Sequence, residues 1–359
     1  MRRPIAAGLR LVVKVGSSSL TSYNGGIVPG AIEHVADLVA GAIATGFPTV
    51  LVTSGAVASG LPAMGLTRRP QDVASLQIAA AVGQSRLMER YTACFDKHRL
   101  VAGQVLLTRD VLSNRDQYLN ARTALDRMLT AGIVPIVNEN DTVVAGDLRL
   151  GGNDILAAAV SHLVGAGLLL ILSDTEGLFS ADPRLGEAEL LGAVRHTDEI
   201  LDTLAGAGPL GSGGVATKVA AARMAAWSGI PTVVASAVAE GVVARVVAGE
   251  DIGTWVDPRP DRLPARKLWI AFGLPASGSL TIDDGAVAAL VERAKSLLPV
   301  GIVGVKGSFK QGAAVEVLDP TGQLVAKGLA QVGSDELTGL IGKRSGDEAI
   351  HRDDLVVLR

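Results

Sequence analysis

Apolar residues fall in short continuous runs separated by longer amphipathic stretches. LVVKV (11–15), TVLVT (49–53), IVPIV (133–137), LLLIL (168–172) and PTVVA (231–235) are rich in β-branched residues and do not alternate with polar ones. That is the pattern of strands in a parallel sheet covered on both faces. Between them, AIEHVADLVAGAIATG (31–46) and VATKVAAARMAAWSG (215–229) repeat apolar positions with a helical period. The second ends at Gly229 with Pro231 beyond it, a helix stop. LGGNDILAAAVSHLVGAG (150–167) reads as a helix opened by Asn153 and Asp154 and ended by Gly165 or Gly167. This alternation predicts an α/β fold: an open, mostly parallel sheet sandwiched by helices, with right-handed crossovers. Such sheets bind ligands beyond the carboxyl ends of their strands.

The pattern changes at WVDPRPDRLPARK (255–267), where three prolines and several charges predict a linker. Beyond it, KLWIAFG, GSLTID, GIVGVKG, AAVEVLD and LVAKGLAQV read as short strands broken by glycine turns, with one helix near 285–298. The expectation is an α/β domain over 1–258 and a small, mostly β domain over 264–359. A length of 359 residues suits two domains.

Composition narrows the class. Hydrophobic content of 48% and charged content of 19% describe a globular chain. A net charge of −3 draws in neither nucleic acid nor anionic membrane by long-range attraction. The single cysteine, Cys94, excludes an intramolecular disulfide and a thiolate metal cluster, and points to a reducing compartment. Arg10 and Lys14 interrupt the apolar N-terminus, so it does not read as a signal peptide, and no run reaches the ~18 apolar residues of a membrane helix. The expected location is cytoplasmic.

The chemistry lies in the tails of the strands. VVKVGSSSL sets Lys14 inside an apolar run, where a lysine is rarely just surface, and follows it with Gly16, Ser17, Ser18 and Ser19. VTSGAVASG sets Thr53, Ser54 and Gly55 after a strand, and LLILSDTEG does the same with Ser173 and Asp174. IVPIV runs into Asn138, Glu139, Asn140 and Asp141, polar groups that cost free energy to bury unpartnered and so belong at an exposed strand end. GSGGVATK places three glycines before a helix whose first turn carries Lys218. Glycines let backbone N–H groups converge on an anion, and a helix N-terminus adds partial positive charge. A cation there is unfavourable unless an anion sits beside it, although a merely solvated lysine is an equal reading of Lys218 taken alone. Likewise Asn153 and Asp154 either cap their helix or face a ligand. There is no G-x-x-x-x-G-K-[ST] phosphate loop and no G-x-S-x-G elbow. A G-x-G-x-x-G at Gly206, Gly208 and Gly211 follows no strand and contains Pro209, which argues against a dinucleotide site. The histidines at 34, 98, 162, 196 and 351 make no zinc spacing.

Nine segments in order resemble the amino acid kinase family: VVKVGSSSL, VTSGAVASG, IAAAVGQSRL, GQVLLTRDV, LNARTAL, IVNENDTV, GGNDILAA, LSDTEGLFSADPR and GSGGVATKVAAA. They span residues 10 to 236, and the resemblance is closest to the branch acting on glutamate. Residues 264–359 resemble a PUA domain, carried by ARKLWIAFG, DDGAVAALVERAKSLLPVGI and HRDDLVVL. The resemblance implies ATP-dependent phosphorylation of the glutamate side-chain carboxylate, the first step of proline synthesis, with Mg²⁺ as cofactor. In many relatives it also implies feedback inhibition by proline and assembly as a homo-dimer or tetramer. Position by position, it implies that Lys14 and Lys218 contact the transferring phosphates and that Asp154 organises them. It implies glutamate binding by Ser54, Asp141 and Asn153. ATP would be held by Lys14, Ser173 and Asp174 with Ser212, Gly213, Gly214, Val215, Ala216, Thr217 and Lys218. Where the family has G-D-N-D, this chain has Gly151-Gly152-Asn153-Asp154, so weaker glutamate binding or altered proline inhibition is expected.

The residue types suit that reaction. A carboxylate with a pKa near ~4.3 is already ionised at neutral pH and needs no general base. Catalysis then reduces to positioning and cationic stabilisation. The competing readings are another carboxylate or carbamate kinase of the same fold, an RNA-binding protein, and a dinucleotide-dependent oxidoreductase. RNA binding is disfavoured, because residues 261–359 carry 12 basic and 12 acidic side chains and aromatics are 3% of the chain.

Overall fold

The computed structural model describes residues 2–22, 26–112, 114–143, 152–184, 186–206, 214–343 and 348–358. Two compact units divide between Arg262 and Leu263. In the first, eight strands form one sheet: β1 (Leu11–Val15), β2 (Thr49–Val52), β3 (Ala102–Leu107), β4 (Val134–Glu139), β5 (Leu168–Ser173), β6 (Ala193–Arg195), β7 (Thr232–Ser236) and β8 (Thr254–Asp257). Their order is β3-β4-β2-β1-β5-β7-β8-β6. All pairings are parallel except β7 with β8. The five expected strands are present within about two residues of their predicted bounds. β1 lies at the centre, fully buried, with β2 on one side and β5 on the other. The chain therefore leaves β1 in one direction and returns to its other flank later, which opens a crevice at the carboxyl ends of these strands.

Three strands escaped the hydrophobic reading. β3 has a partly exposed pattern, and β6 is only three residues long. β8 runs into the predicted linker, because Thr254–Asp257 pairs with β7 despite the prolines that follow. The helix Val73–Lys97 is the longest element, capped by Asp72, whose side chain accepts from the Ser75 N–H. Its buried stripe of Leu76, Ala79, Ala80, Gly83, Gln84, Leu87, Met88, Tyr91 and Phe95 packs into the core with Val13, Leu51 and Ile136. Against it lies the short helix Ala56–Gly60, at van der Waals distance with no room for side chains. A Cβ on Gly83 would sit 1.7 Å from the Ala56 carbonyl oxygen, and one on Gly60 would sit 2.1 Å from that of Ala79.

In the second unit, β9 (Gly278–Ile282), β10 (Ile302–Lys306), β11 (Ala314–Leu318), β12 (Leu324–Leu329) and β13 (Leu355–Val357) form a sheet ordered β10-β9-β11-β12-β13. Leu280, Ile282, Val315, Val317, Val325 and Ile350 fill its own core. KLWIAFG, expected as a strand, is helical over Ala265–Leu268 and Trp269–Gly273. The cause is tertiary: buried Lys327 donates from Nζ to the carbonyls of Ala271 and Leu274, satisfying the end of that helix. The helix expected to 298 stops at Arg293, where Ala294 turns left-handed with φ 47°. Among the described residues no helix is long and apolar enough to cross a membrane.

Candidate active site

The tail of β1 meets the starts of two helices. Lys14, almost fully buried on β1, pairs through Nζ with Asp154 Oδ1 at 2.5 Å. Asp154 is 1% exposed, and its other oxygen accepts from Thr217 Oγ1 at 2.6 Å. A carboxylate taken from water demands such partners, and here they come from a strand and a distant helix. Asp154 sits in the first turn of Gly152–Val164, and Thr217 in the first turn of Val215–Trp227. Lys218 follows Thr217 and is itself buried. Burial pushes its ammonium below the usual lysine value; Asp154 and Asp174 oppose this and the charge of Lys14 adds to it. Lys218 thus feels Lys14, Asp154 and Asp174 together, and Lys14 is itself paired with Asp154. A Cβ on Gly16 would stand 3.1 Å from the Lys14 ammonium, so glycine keeps that face of the cation clear.

Gly214 caps Val215–Trp227 with no side-chain hydrogen bond, so among the described residues the cap leaves the first N–H groups of that helix without a side-chain acceptor. Ser212 and Gly213 lie outside the described residues, as do Gly208 and Gly211 of the glycine triplet. Ser173 ends β5, and its Oγ donates to Asp174 Oδ1 at 3.1 Å. Both sit at the carboxyl end of a strand adjoining β1.

A second group of side chains is joined by amide hydrogen bonds. Asn153 donates from Nδ2 to Ser54 Oγ at 2.9 Å and to Asn138 Oδ1 at 3.0 Å. The Glu139 N–H donates to both Asn153 Oδ1 and Asn138 Oδ1. Asn138 in turn donates from Nδ2 to Gln84 Oε1 at 2.9 Å. Beside this relay lies a cavity of about 200 Å³ bordered by Ala56, Gln84, Asn140, Asp141 and Thr142 among others. The structure thus brings Ser54 directly onto Asn153 and sets Asp141 on the cavity wall. Asn153 and Asp154 do more than cap: one enters the amide relay and the other the lysine pair.

Gln84 and Asn138 were not among the expected site residues. Gln84 had a signal, since it is the one amide on an otherwise apolar helical stripe. Asn138 stood in the polar tail of β4 with nothing to distinguish it from its neighbours. Thr53, whose Oγ1 lies 2.8 Å from the buried Tyr91 hydroxyl, steadies the end of β2.

Among the described residues no group of three or more His, Cys, Asp or Glu is placed to hold a metal. The buried carboxylate of Asp154 is already engaged by Lys14 and Thr217. The described residues fit magnesium as an ion carried on nucleotide phosphates.

A parallel sheet with an anion-ready crevice beside a buried lysine–carboxylate pair has the make-up of a phosphotransferase. Residues 9–236 match the profile of the amino acid kinase family and residues 278–357 that of the PUA domain. The chain belongs to the amino acid kinase family and carries a C-terminal PUA domain. Its curated relatives include the glutamate 5-kinase of Streptomyces coelicolor, 44% identical over 371 residues, covering 99% of this chain and 98% of that protein. The glutamate 5-kinase of Frankia casuarinae is 46% identical, covering 100% of this chain and 99% of that protein. The glutamate 5-kinase of Marinomonas sp. is 45% identical over the full length of both. Among solved structures, a protein of Aeropyrum pernix K1 aligns with a TM-score of 0.50 at 16% identity, covering 70% of this chain and 100% of that one, a likeness of fold.

Proposed function

We propose that the chain transfers the γ-phosphoryl group of ATP to the side-chain carboxylate of L-glutamate, giving L-glutamyl 5-phosphate and ADP, the first step of proline biosynthesis. The observation that carries this is identity of 44–46% to glutamate 5-kinases over essentially the whole chain. The geometry supports it. The glutamate carboxylate is ionised and attacks the γ-phosphorus directly, while the bond to the ADP oxygen breaks and the electron pair leaves with ADP. No proton needs removing, which suits a site whose buried charges are lysines and a carboxylate already paired with one of them.

In this reading Lys14 and Lys218 contact the transferring phosphates. Asp154 positions Lys14 directly and, through Thr217, the start of the helix that carries Lys218. The free N–H groups of Val215, Ala216 and Thr217, with Gly214 and the outlying Ser212 and Gly213, take nucleotide phosphate oxygens. Ser173 and Asp174 border the nucleotide. Ser54 and Asn153 hold the reacting end of glutamate, and Asp141 meets its ammonium. Magnesium, when bound, offsets phosphate charge. A cytoplasmic location, a homo-oligomer and feedback by proline belong to the same reading.

The test is an assay with glutamate and Mg-ATP in which hydroxylamine traps the acyl phosphate as hydroxamate. Hydroxamate that requires both substrates is the expected result. ATP consumption with carbamate or another carboxylate, and none with glutamate, would transfer the proposal to a different kinase of this fold.

A further inference from the structure

We infer that Gln84 is a specificity-determining residue that binds the α-carboxylate of the amino-acid substrate. The inference rests on the glutamate kinase reading and extends it to a residue outside the expected site.

The polarity of the amide relay is dictated by one backbone group. The Glu139 N–H, which can only donate, lies 2.9 Å from Asn138 Oδ1, and Asn153 Nδ2 lies 3.0 Å from the same atom. Asn138 must therefore turn its oxygen to those donors and its NH₂ to Gln84. Gln84 must answer with Oε1, which it does at 2.9 Å. Its own NH₂ is thereby directed away from Asn138. That Nε2 is buried and, among the described residues, has no hydrogen-bond partner; Gln84 is only 9% exposed. A buried donor left unpaired costs about 1–3 kcal/mol, so a ligand acceptor that meets it gains affinity.

Gln84 borders the 200 Å³ cavity, and so does Asp141. The cavity is lined by the carboxylates of Glu139 and Asp141 and by the amides of Gln104, Asn140 and Gln84, of which Gln84 is the one with a buried, unpartnered NH₂ among the described residues. The α-carbon of an amino acid presents the complement, an ammonium beside a carboxylate. With the ammonium at Asp141 and the side chain reaching toward Asn153 and Ser54, the α-carboxylate is left for Gln84. A site built around such a donor rejects an analogue that lacks the acceptor. The relay also ties this recognition to the phosphate end, since Asn153 precedes the Asp154 that pairs with Lys14.

The experiment compares kcat/KM for glutamate and for its α-amide, whose side-chain carboxylate is intact. Gln84→Glu keeps an oxygen for Asn138 and turns the outward NH₂ into an oxygen. The glutamate-to-amide preference is expected to fall at least tenfold, with KM for ATP changed less than twofold. Gln84→Met, of similar volume and without a donor, serves if the first variant does not fold. Its preference for glutamate over 4-aminobutyrate, the substrate without its α-carboxylate, is expected to fall by a similar factor. Preferences unchanged in a folded variant, or equal losses on both members of a pair, overturn the role. A parent chain inactive on glutamate overturns the functional reading and this inference with it; an active parent with unaltered variant preferences overturns the inference alone.

Discussion

A lysine between two valines stays buried only if its charge is met, and at Lys14 the partner is a carboxylate equally cut off from water. Removing one member strands the other. Lys14→Met is expected to lower kcat by about 10²–10³, the typical loss for one charged transition-state contact, and to destabilise the fold by a few kcal/mol. Adding Asp154→Leu should restore much of the melting temperature and none of the activity, a cycle that separates stability from catalysis. Lys218 carries a different prediction. Its ammonium titrates below the usual lysine range because it is buried, so its charge is lost as pH rises through that lowered value. The basic limb of kcat/KM is expected to fall below the pH at which a free lysine would titrate, and to move upward in Lys218→Arg if arginine is accepted at the phosphates. A limb unmoved by that substitution in an active variant assigns it to another group. Gly152 departs from the family pattern that the sequence resembles. Its φ of 50° is left-handed, where an aspartate is strained even though no atom crowds its Cβ. Gly152→Asp is expected to lower KM for glutamate or alter proline inhibition, at a stability cost of about 1 kcal/mol. Unchanged KM and inhibition would show the missing carboxylate to be without consequence.

At the scale of elements, the site depends on how closely helices approach. Gly83→Ala would drive a methyl group into the Ala56 carbonyl, forcing apart the two helices that wall the cavity. A loss of about 1–3 kcal/mol is expected from overpacking, read as a lower melting temperature, together with a higher KM for glutamate. The pairing of Gly152–Val164 with Arg115–Thr130 is expected to be acid-sensitive. His162 faces the ring of Tyr118, and burial, with Arg262 and Arg122 nearby, lowers its pKa to about 4. The unfolded chain binds this proton from about pH 6.5 downward and the folded chain only near 4, so stability falls as pH drops through that window. His162→Phe should flatten the pH dependence of the melting temperature there. These helices were not all legible in the chain. The strands of β1, β2, β4, β5 and β7 announce themselves because burial on both faces forces continuous apolar runs. An edge strand such as β3 feels water and loses that mark.

For the whole molecule, charge balance in the C-terminal unit argues against electrostatic capture of RNA, and retention of RNA by the full chain is expected to be negligible at low and at high salt. The order of polar tails along the chain, with its resemblance to one kinase family, was enough to indicate a phosphate site, an amino-acid site and the reaction between them. This is because strand ends and helix starts must declare themselves in local residue types: glycines where backbone meets anion, amides and acids where a strand meets solvent. Which of those groups touch was decided only by the tertiary structure, which sets β1 between β2 and β5 and brings Lys14 and Thr217 onto the carboxylate of Asp154. The direction of the amide relay, and with it the free NH₂ of Gln84, was likewise invisible until Asn138 and Glu139 stood beside a helix more than fifty positions earlier in the chain. Local pattern records what a residue needs from its surroundings; long-range packing alone selects the partner that supplies it.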